Sequence, residues 1–186
     1  MGLCLYVGMD DSNHAGENIK GEINAAIFST LHQDSVIKAF PNRRDHSQAT
    51  KWMMNFPERD YRFTLLTGED WRTQPTNLIY TAPVLISSFL KDNPDMKVDS
   101  LRLYLDGYLS SAGKAYLRSR FSYIRDFAVK NFVKKNRNKE GNLAKRPVCP
   151  PLVYMADNWA HILLRRSLAE CLTDSRYVLF SPQPSA

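Results

Sequence analysis

Leu3-Cys4-Leu5-Tyr6-Val7-Gly8-Met9-Asp10-Asp11-Ser12-Asn13 is the stretch on which the reading of the whole chain turns. An apolar run too short for a helix and rich in strand formers stops at two acids, which is how a buried strand delivers carboxylates to the rim of a sheet. Alternation puts Leu3, Leu5, Val7 and Met9 on one face and Cys4, Tyr6, Gly8 and Asp10 on the other. Asp10 is therefore expected at the strand's end on its less apolar face. Asp, Ser and Asn also open turns by bonding their own backbone, so these acids gain meaning only from acids placed elsewhere.

Downstream, a polar connection leads within a few residues to Glu22–Thr30, which resumes a strand-like pattern. The gap is too short for a crossover helix, so the second strand is predicted antiparallel to the first, unlike the helix that follows an acidic first strand in doubly wound folds. A third short strand around Ser35–Phe40 would complete a meander, with Pro41-Asn42 closing it. Asp45–Asn55 reads as a helix stopped by Pro57, and Tyr61–Thr67 as a further strand or extended segment. Asn77–Lys91 reads as a helix that begins at or kinks on Pro83.

Ser100-Leu101-Arg102-Leu103-Tyr104-Leu105-Asp106-Gly107 repeats the plan of the first strand. Three leucines share one face, while Arg102, Tyr104 and Asp106 share the other. If this strand and the first are parallel neighbours, Asp10 and Asp106 emerge at one edge, near enough to share a cation. Asp-Gly is also a common turn dipeptide, the plainer reading of the same residues. A short helix over Ser110–Arg118, lined by Lys114 and Arg118, and a last strand at Phe127–Val133 follow.

The final helix is predicted from Leu152 to about Leu172, with Pro151 suited to its first turn. Its stripe of Val153, Asp157, Ala160, Leu164, Leu168 and Cys171 sets an aspartate in line with core-facing residues. A lone buried carboxylate costs several kcal/mol or stays protonated unless a partner charge or metal meets it. His161 lies one turn on, a candidate acid/base group or a structural hydrogen-bonding partner.

Composition sets the wider frame. A length of 186 residues suits one domain, 1–186, with a tail from Ser175 expected to fray. With 44% hydrophobic and 24% charged residues the chain reads as a folded soluble protein. No apolar run approaches the ~20 residues of a membrane span, and the start lacks a signal pattern, so a cytoplasmic location without membrane contact is expected. Three scattered cysteines, Cys4, Cys149 and Cys171, suggest neither a disulfide framework nor a zinc ribbon. A net charge of +6 favours polyanionic partners. The densest basic run, Lys134, Lys135, Arg137, Lys139, Lys145 and Arg146, has the composition of a loop that tracks a phosphate backbone, or simply of a solvated connection.

Strand acid, antiparallel meander, helix, parallel strand acid and terminal helix acid, in that order, resemble the ribonuclease H-like superfamily. Within it the chain is similar to the DUF3800 family, whose first strand ends Asp-Glu-Ser, whose middle strand ends in Asp and whose late helix carries a hydrophobic Ala-Asp motif. Here the corresponding residues are Asp10-Asp11-Ser12, Leu103-Tyr104-Leu105-Asp106-Gly107 and Val153-Tyr154-Met155-Ala156-Asp157. Asp11 stands in place of the Glu, and Asn13-His14 in place of a usual glycine. The resemblance implies an α/β fold with a mixed central sheet, an antiparallel 1-2-3 meander followed by parallel strands, and helices packed on it.

The expected activity is divalent-metal-dependent hydrolysis of a DNA or RNA phosphodiester, with catalytic Asp10, Asp106 and Asp157. Mg²⁺ or Mn²⁺ would be held by these and Asp11, since hard cations take oxygen ligands. Glu58, Glu69 and Asp126 are weaker candidates for a fourth carboxylate. Lys114 and the basic run would bind nucleic acid. Two readings compete: an inactive ribonuclease H-like nucleic-acid-binding or interaction protein, and phosphate-ester hydrolysis on small molecules by the same acids.

Overall fold

The computed structural model describes residues 2–12, 21–32, 51, 61–66, 77–132 and 150–180. Five strands form one sheet: β1 (Leu3–Ser12), β2 (Glu22–Ser29), β3 (Tyr61–Leu66), β4 (Val98–Asp106) and β5 (Asp126–Phe132). Four helices accompany it: α1 (Asn77–Asp92), α2 (Ser111–Arg120), α3 (Pro151–Arg165) and α4 (Leu168–Thr173).

The spatial order is β3-β2-β1-β4-β5. β2 is antiparallel to both β1 and β3, whereas β4 is parallel to β1 and β5 parallel to β4. An antiparallel meander extended by parallel strands, with helices packed on it, is the ribonuclease H-like arrangement expected from the sequence. The third strand of the meander is Tyr61–Leu66. The strand expected at Ser35–Phe40 lies outside the described residues, as does nearly all of the helix expected at Asp45–Asn55.

Strand alternation divides the core into two layers. Leu5, Val7 and Met9 of β1 and Leu101, Leu103 and Leu105 of β4 pack with Ala26 and Phe28 against α1 and α2. On the other face Ile23, Ala25, Ile27, Tyr61, Phe63 and Leu65 meet Leu152, Met155, Ala156, Trp159, Ala160 and Leu163 of α3. Both faces of β1 and β2 are thus covered, which is why these strands are apolar almost throughout.

α1 covers the helix expected at Asn77–Lys91 and holds Pro83 within it, which excludes a start at the proline, whereas the last helix departs from expectation. The final helix is two: α3 ends at Arg165, and α4 starts afresh behind Ser167, whose hydroxyl accepts from the Glu170 N–H while the Glu170 carboxylate accepts from the Ser167 N–H. This capping box is a start signal lying inside what reads as continuous helical periodicity. The tail expected to fray from Ser175 is held over its first residues. The Phe63 N–H donates to the Arg176 carbonyl at 3.2 Å, and the Val178 N–H donates to the Phe63 carbonyl at 2.8 Å. Tyr177 packs into the α3-side core.

Candidate functional site

β1 and β4 carry their acids to the same end of the sheet. In the parallel register Gly8 faces Tyr104 and Met9 faces Leu105, so Asp10 and Asp106 are the next step on neighbouring strands, on the face that α3 covers. Strand neighbours lie about 4.8 Å apart along the sheet. Each acid is turned by the residue after it: Asp10 Oδ1 accepts from the Asp11 N–H at 2.8 Å, and Asp106 Oδ1 from the Gly107 N–H at 2.9 Å. Gly107 has φ +92°, a conformation open to glycine and strained for other residues, so the strand can end sharply behind Asp106.

Gly8 brings the third acid in. A Cβ at this position would lie 2.2 Å from the Leu152 carbonyl carbon and 2.5 Å from the Val153 nitrogen, so α3 rests on bare β1 backbone. Eight residues further along α3, the Ser12 hydroxyl donates to the Ala160 carbonyl at 3.3 Å. Helix and strand therefore run the same way, with Asp157 between these two contacts at the level of Asp10. The Asp157 side chain is 16% exposed and bonds His161, whose Nε2 is 3.2 Å from its Oδ1. The i,i+4 proximity read from the sequence is therefore a direct pair.

Electrostatics link the three aspartates. Asp10 is 4% exposed, and its carboxyl is pushed up to about 8, first by burial and then by the charges of Asp106, Asp157 and Asp11. The bond from the Asp11 N–H opposes this without overcoming it. A carboxyl raised so far keeps its proton at neutral pH because burial disfavours its charged form and its neighbours repel a further negative charge. Among the described residues, no three His, Cys, Asp or Glu side chains stand where they could together hold a metal ion. The aspartates are thus near enough to feel one another's charge without forming a closed set of ligands.

The remaining candidates distribute differently. Asp11 alternates to the opposite face of β1, beside Asn24 of β2. Asp126 stands at the far end of the sheet, beside Ser100 at the start of β4 and bound to Arg102, so it is corrected from a possible fourth carboxylate to an ion-pair partner. Glu58, Glu69 and the basic residues Lys134, Lys135, Arg137, Lys139, Lys145 and Arg146 lie outside the described residues. Lys114 sits one turn into α2, half-buried.

Sequence reasoning missed the second polar feature at this end. On the α1 face the Thr81 hydroxyl donates to Asn24 Oδ1 at 3.2 Å, and Asn24 Nδ2 donates to Glu22 Oε1 at 2.8 Å. All three residues are buried. The available signal was the alternation of Glu22 and Asn24 within an otherwise apolar strand. Gly8 carried a signal too, since an isolated glycine in a strand marks the close approach of another backbone.

No family model matches the sequence, and no curated protein matches it. Among solved structures the chain is similar to one from the PCNA:RNase HII complex of Archaeoglobus fulgidus, with 12% identity, 93% of this chain and 81% of that chain covered, and a TM-score of 0.45. It is also similar to the human cytomegalovirus terminase nuclease domain, with 13% identity, 85% of this chain and 62% of that one covered, and a TM-score of 0.28. Among the described residues, no helix is long and apolar enough to cross a membrane.

Proposed function

We propose that the chain is a DUF3800-like member of the ribonuclease H-like superfamily, and that the acidic end of its sheet binds Mg²⁺ or Mn²⁺ and hydrolyses nucleic-acid phosphodiesters. The observation that carries this reading is the burial of Asp10 at the strand ends beside Asp106, with Asp157 brought in by α3, an arrangement that raises its carboxyl. Burying a carboxyl among carboxylates does nothing for folding, whereas a cation in their midst replaces repulsion by attraction. All the donors are oxygens, the set that hard divalent ions prefer.

Asp10, Asp106 and Asp157 would hold the ion, while Asp11, on the opposite face of β1, would not reach it. A divalent ion bound there would lower the pKa of a water so that its hydroxide could attack phosphorus, and would stabilise charge on the leaving oxygen. The chain's own residues would prepare the site: Asp10 would have to give up its proton to serve as a ligand, the Asp11 and Gly107 N–H groups fix two carboxylates in angle, and Gly8 lets α3 rest on β1 near Asp157. His161, half exposed and bonded to Asp157, would accept or return a proton during turnover.

A second reading is a ribonuclease H-like protein that binds nucleic acid without cleaving it. The side-chain positions as they stand favour it, because no three described ligands could share one ion. The first reading requires the ion itself to draw Asp106 and Asp157 in. A labelled strand incubated with Mn²⁺, and in parallel with chelator, separates the two. Cleavage with Mn²⁺ that stops with chelator and in Asp10→Asn establishes the nuclease, whereas a mobility shift under both conditions with no product establishes the binder.

A further inference from the structure

Behind Asp106 the chain turns from acid to base and presents tyrosines to solvent. From Gly107 to Arg125 there is no acidic residue, while Lys114, Arg118, Arg120 and Arg125 are basic. Arg125 is spoken for by Asp99 at 3.6 Å, but Arg118 and Arg120 are exposed, two residues apart and so on opposite flanks of α2. Beside Arg120 the rings of Tyr80 and Tyr116 meet at 5.4 Å between centroids, tilted by 57°, and the Arg120 guanidinium lies 5.3 Å over Tyr116. Tyr80 remains 44% exposed and Tyr108, two residues past Asp106, 68% exposed.

Position makes this more than a scatter of surface aromatics. α2 starts at the acidic end, where Ser110 caps it by accepting from the Gly113 N–H. α1 starts at the same end, where Thr81 bonds Asn24. Tyr80 and Tyr116 therefore sit within the first turns of two helices that both begin beside the carboxylates. Tyr108 stands in the short link between β4 and α2, two residues past Asp106.

We propose that Tyr108, Tyr80, Tyr116, Lys114, Arg118 and Arg120 form a track for single-stranded nucleic acid leading from the acidic end of the sheet across α2. The proposal rests on the nucleic-acid reading above, not on hydrolysis. The exposed rings of Tyr80 and Tyr108 are offered to bases, which only an unpaired strand can supply, and the acid-free helix beside them offers charge to its phosphates. A duplex keeps its bases stacked internally and gains only the charge.

The test measures binding of a fluorescent, cleavage-resistant single strand, and of the matching duplex, in chelator, so that hydrolysis plays no part. Tyr108→Ala and Tyr80→Ala should each weaken the single strand by roughly 5- to 150-fold and leave the duplex little changed. Tyr108→Phe, which keeps the ring, should bind like the parent chain. Arg118→Ala with Arg120→Ala should lower the slope of log affinity against log salt by roughly 0.7 per lost contact. Parent-like single-strand affinity in both tyrosine-to-alanine variants, or a parent chain that binds no strand, overturns the track. A parent chain that binds through these residues but leaves an ordinary labelled strand intact with Mn²⁺ overturns the nuclease reading and leaves the track standing.

Discussion

The two ends of one sheet treat their acids in opposite ways. At the end where β4 and β5 begin, Asp126 binds Arg102, whose hydrogen bond holds its carboxyl below the usual range, and Asp99 faces Arg125. Asp92, at the foot of α1, takes a 2.8 Å bond from the buried Arg62. Asp174 makes the same point beyond the sheet: burial pushes its carboxyl up, yet bonds from Arg176 and the charges of Arg176 and Arg166 leave it lowered. At the other end Asp10 meets Asp106, Asp157 and Asp11, and is raised. The first arrangement compensates charge; the second concentrates it where the strands stop. Among the described residues arginines meet Asp126, Asp99, Asp92 and Asp174, whereas the acids that act on Asp10 are other aspartates, and on this contrast the proposed cation site rests.

Breaking that contrast at the acidic end should have the largest effect. Asp10→Asn and Asp106→Asn are each expected to reduce hydrolysis of a labelled strand by roughly 10²–10³-fold or more, with the fold retained by circular dichroism. Stability should respond in the opposite sense. Between about pH 4 and about pH 8 the unfolded chain has released the Asp10 proton and the folded chain keeps it, so metal-free stability falls as pH rises across that window and levels off above it. The loss amounts to several kcal/mol at most. Urea unfolding of Asp10→Asn across the same pH range should show a flatter profile and greater stability than the parent at pH 8.

Gly8→Ala comes next. Its methyl group has backbone atoms of Leu152 and Val153 in its way, so α3 must shift, at about 1–3 kcal/mol. Activity should fall further than the lost stability explains, because Asp157 moves with the helix. Asp126→Asn should do least. The pair it breaks is exposed and far from Asp10, so cleavage rate and melting temperature should both stay close to the parent values. An effect of Asp126→Asn as large as that of Asp10→Asn would erase the distinction between the two ends.

Much of this contrast was legible in the sequence, because strand alternation is rigid. Once Leu101, Leu103 and Leu105 face the core, Asp106 must share a face with Arg102 and Tyr104, and two strands of the same plan place their final acids together. The pairing of Asp157 with His161 followed equally from helical spacing. What stayed hidden depended on contacts between distant segments. Nothing local in Asp126 announces Arg102, which lies 24 residues away in sequence and is its neighbour only through β4–β5 pairing. The break between α3 and α4 was hidden for another reason: Leu164, Leu168 and Cys171 keep helical spacing across it, and only the Ser167/Glu170 capping box marks the restart. The docking of Arg176 and Val178 on Phe63 likewise needs β3 in place first.

The central claim, that the acidic end is a site for a divalent ion, is most directly tested by titrating the metal-free chain with Mn²⁺ at pH 7 in a calorimeter, in two buffers of different ionisation enthalpy. The account predicts binding accompanied by release of close to one proton, because Asp10 must surrender the proton it holds at that pH, and predicts that Asp10→Asn loses both the binding heat and the proton. No binding up to millimolar Mn²⁺, or binding that persists unchanged in Asp10→Asn, would contradict it.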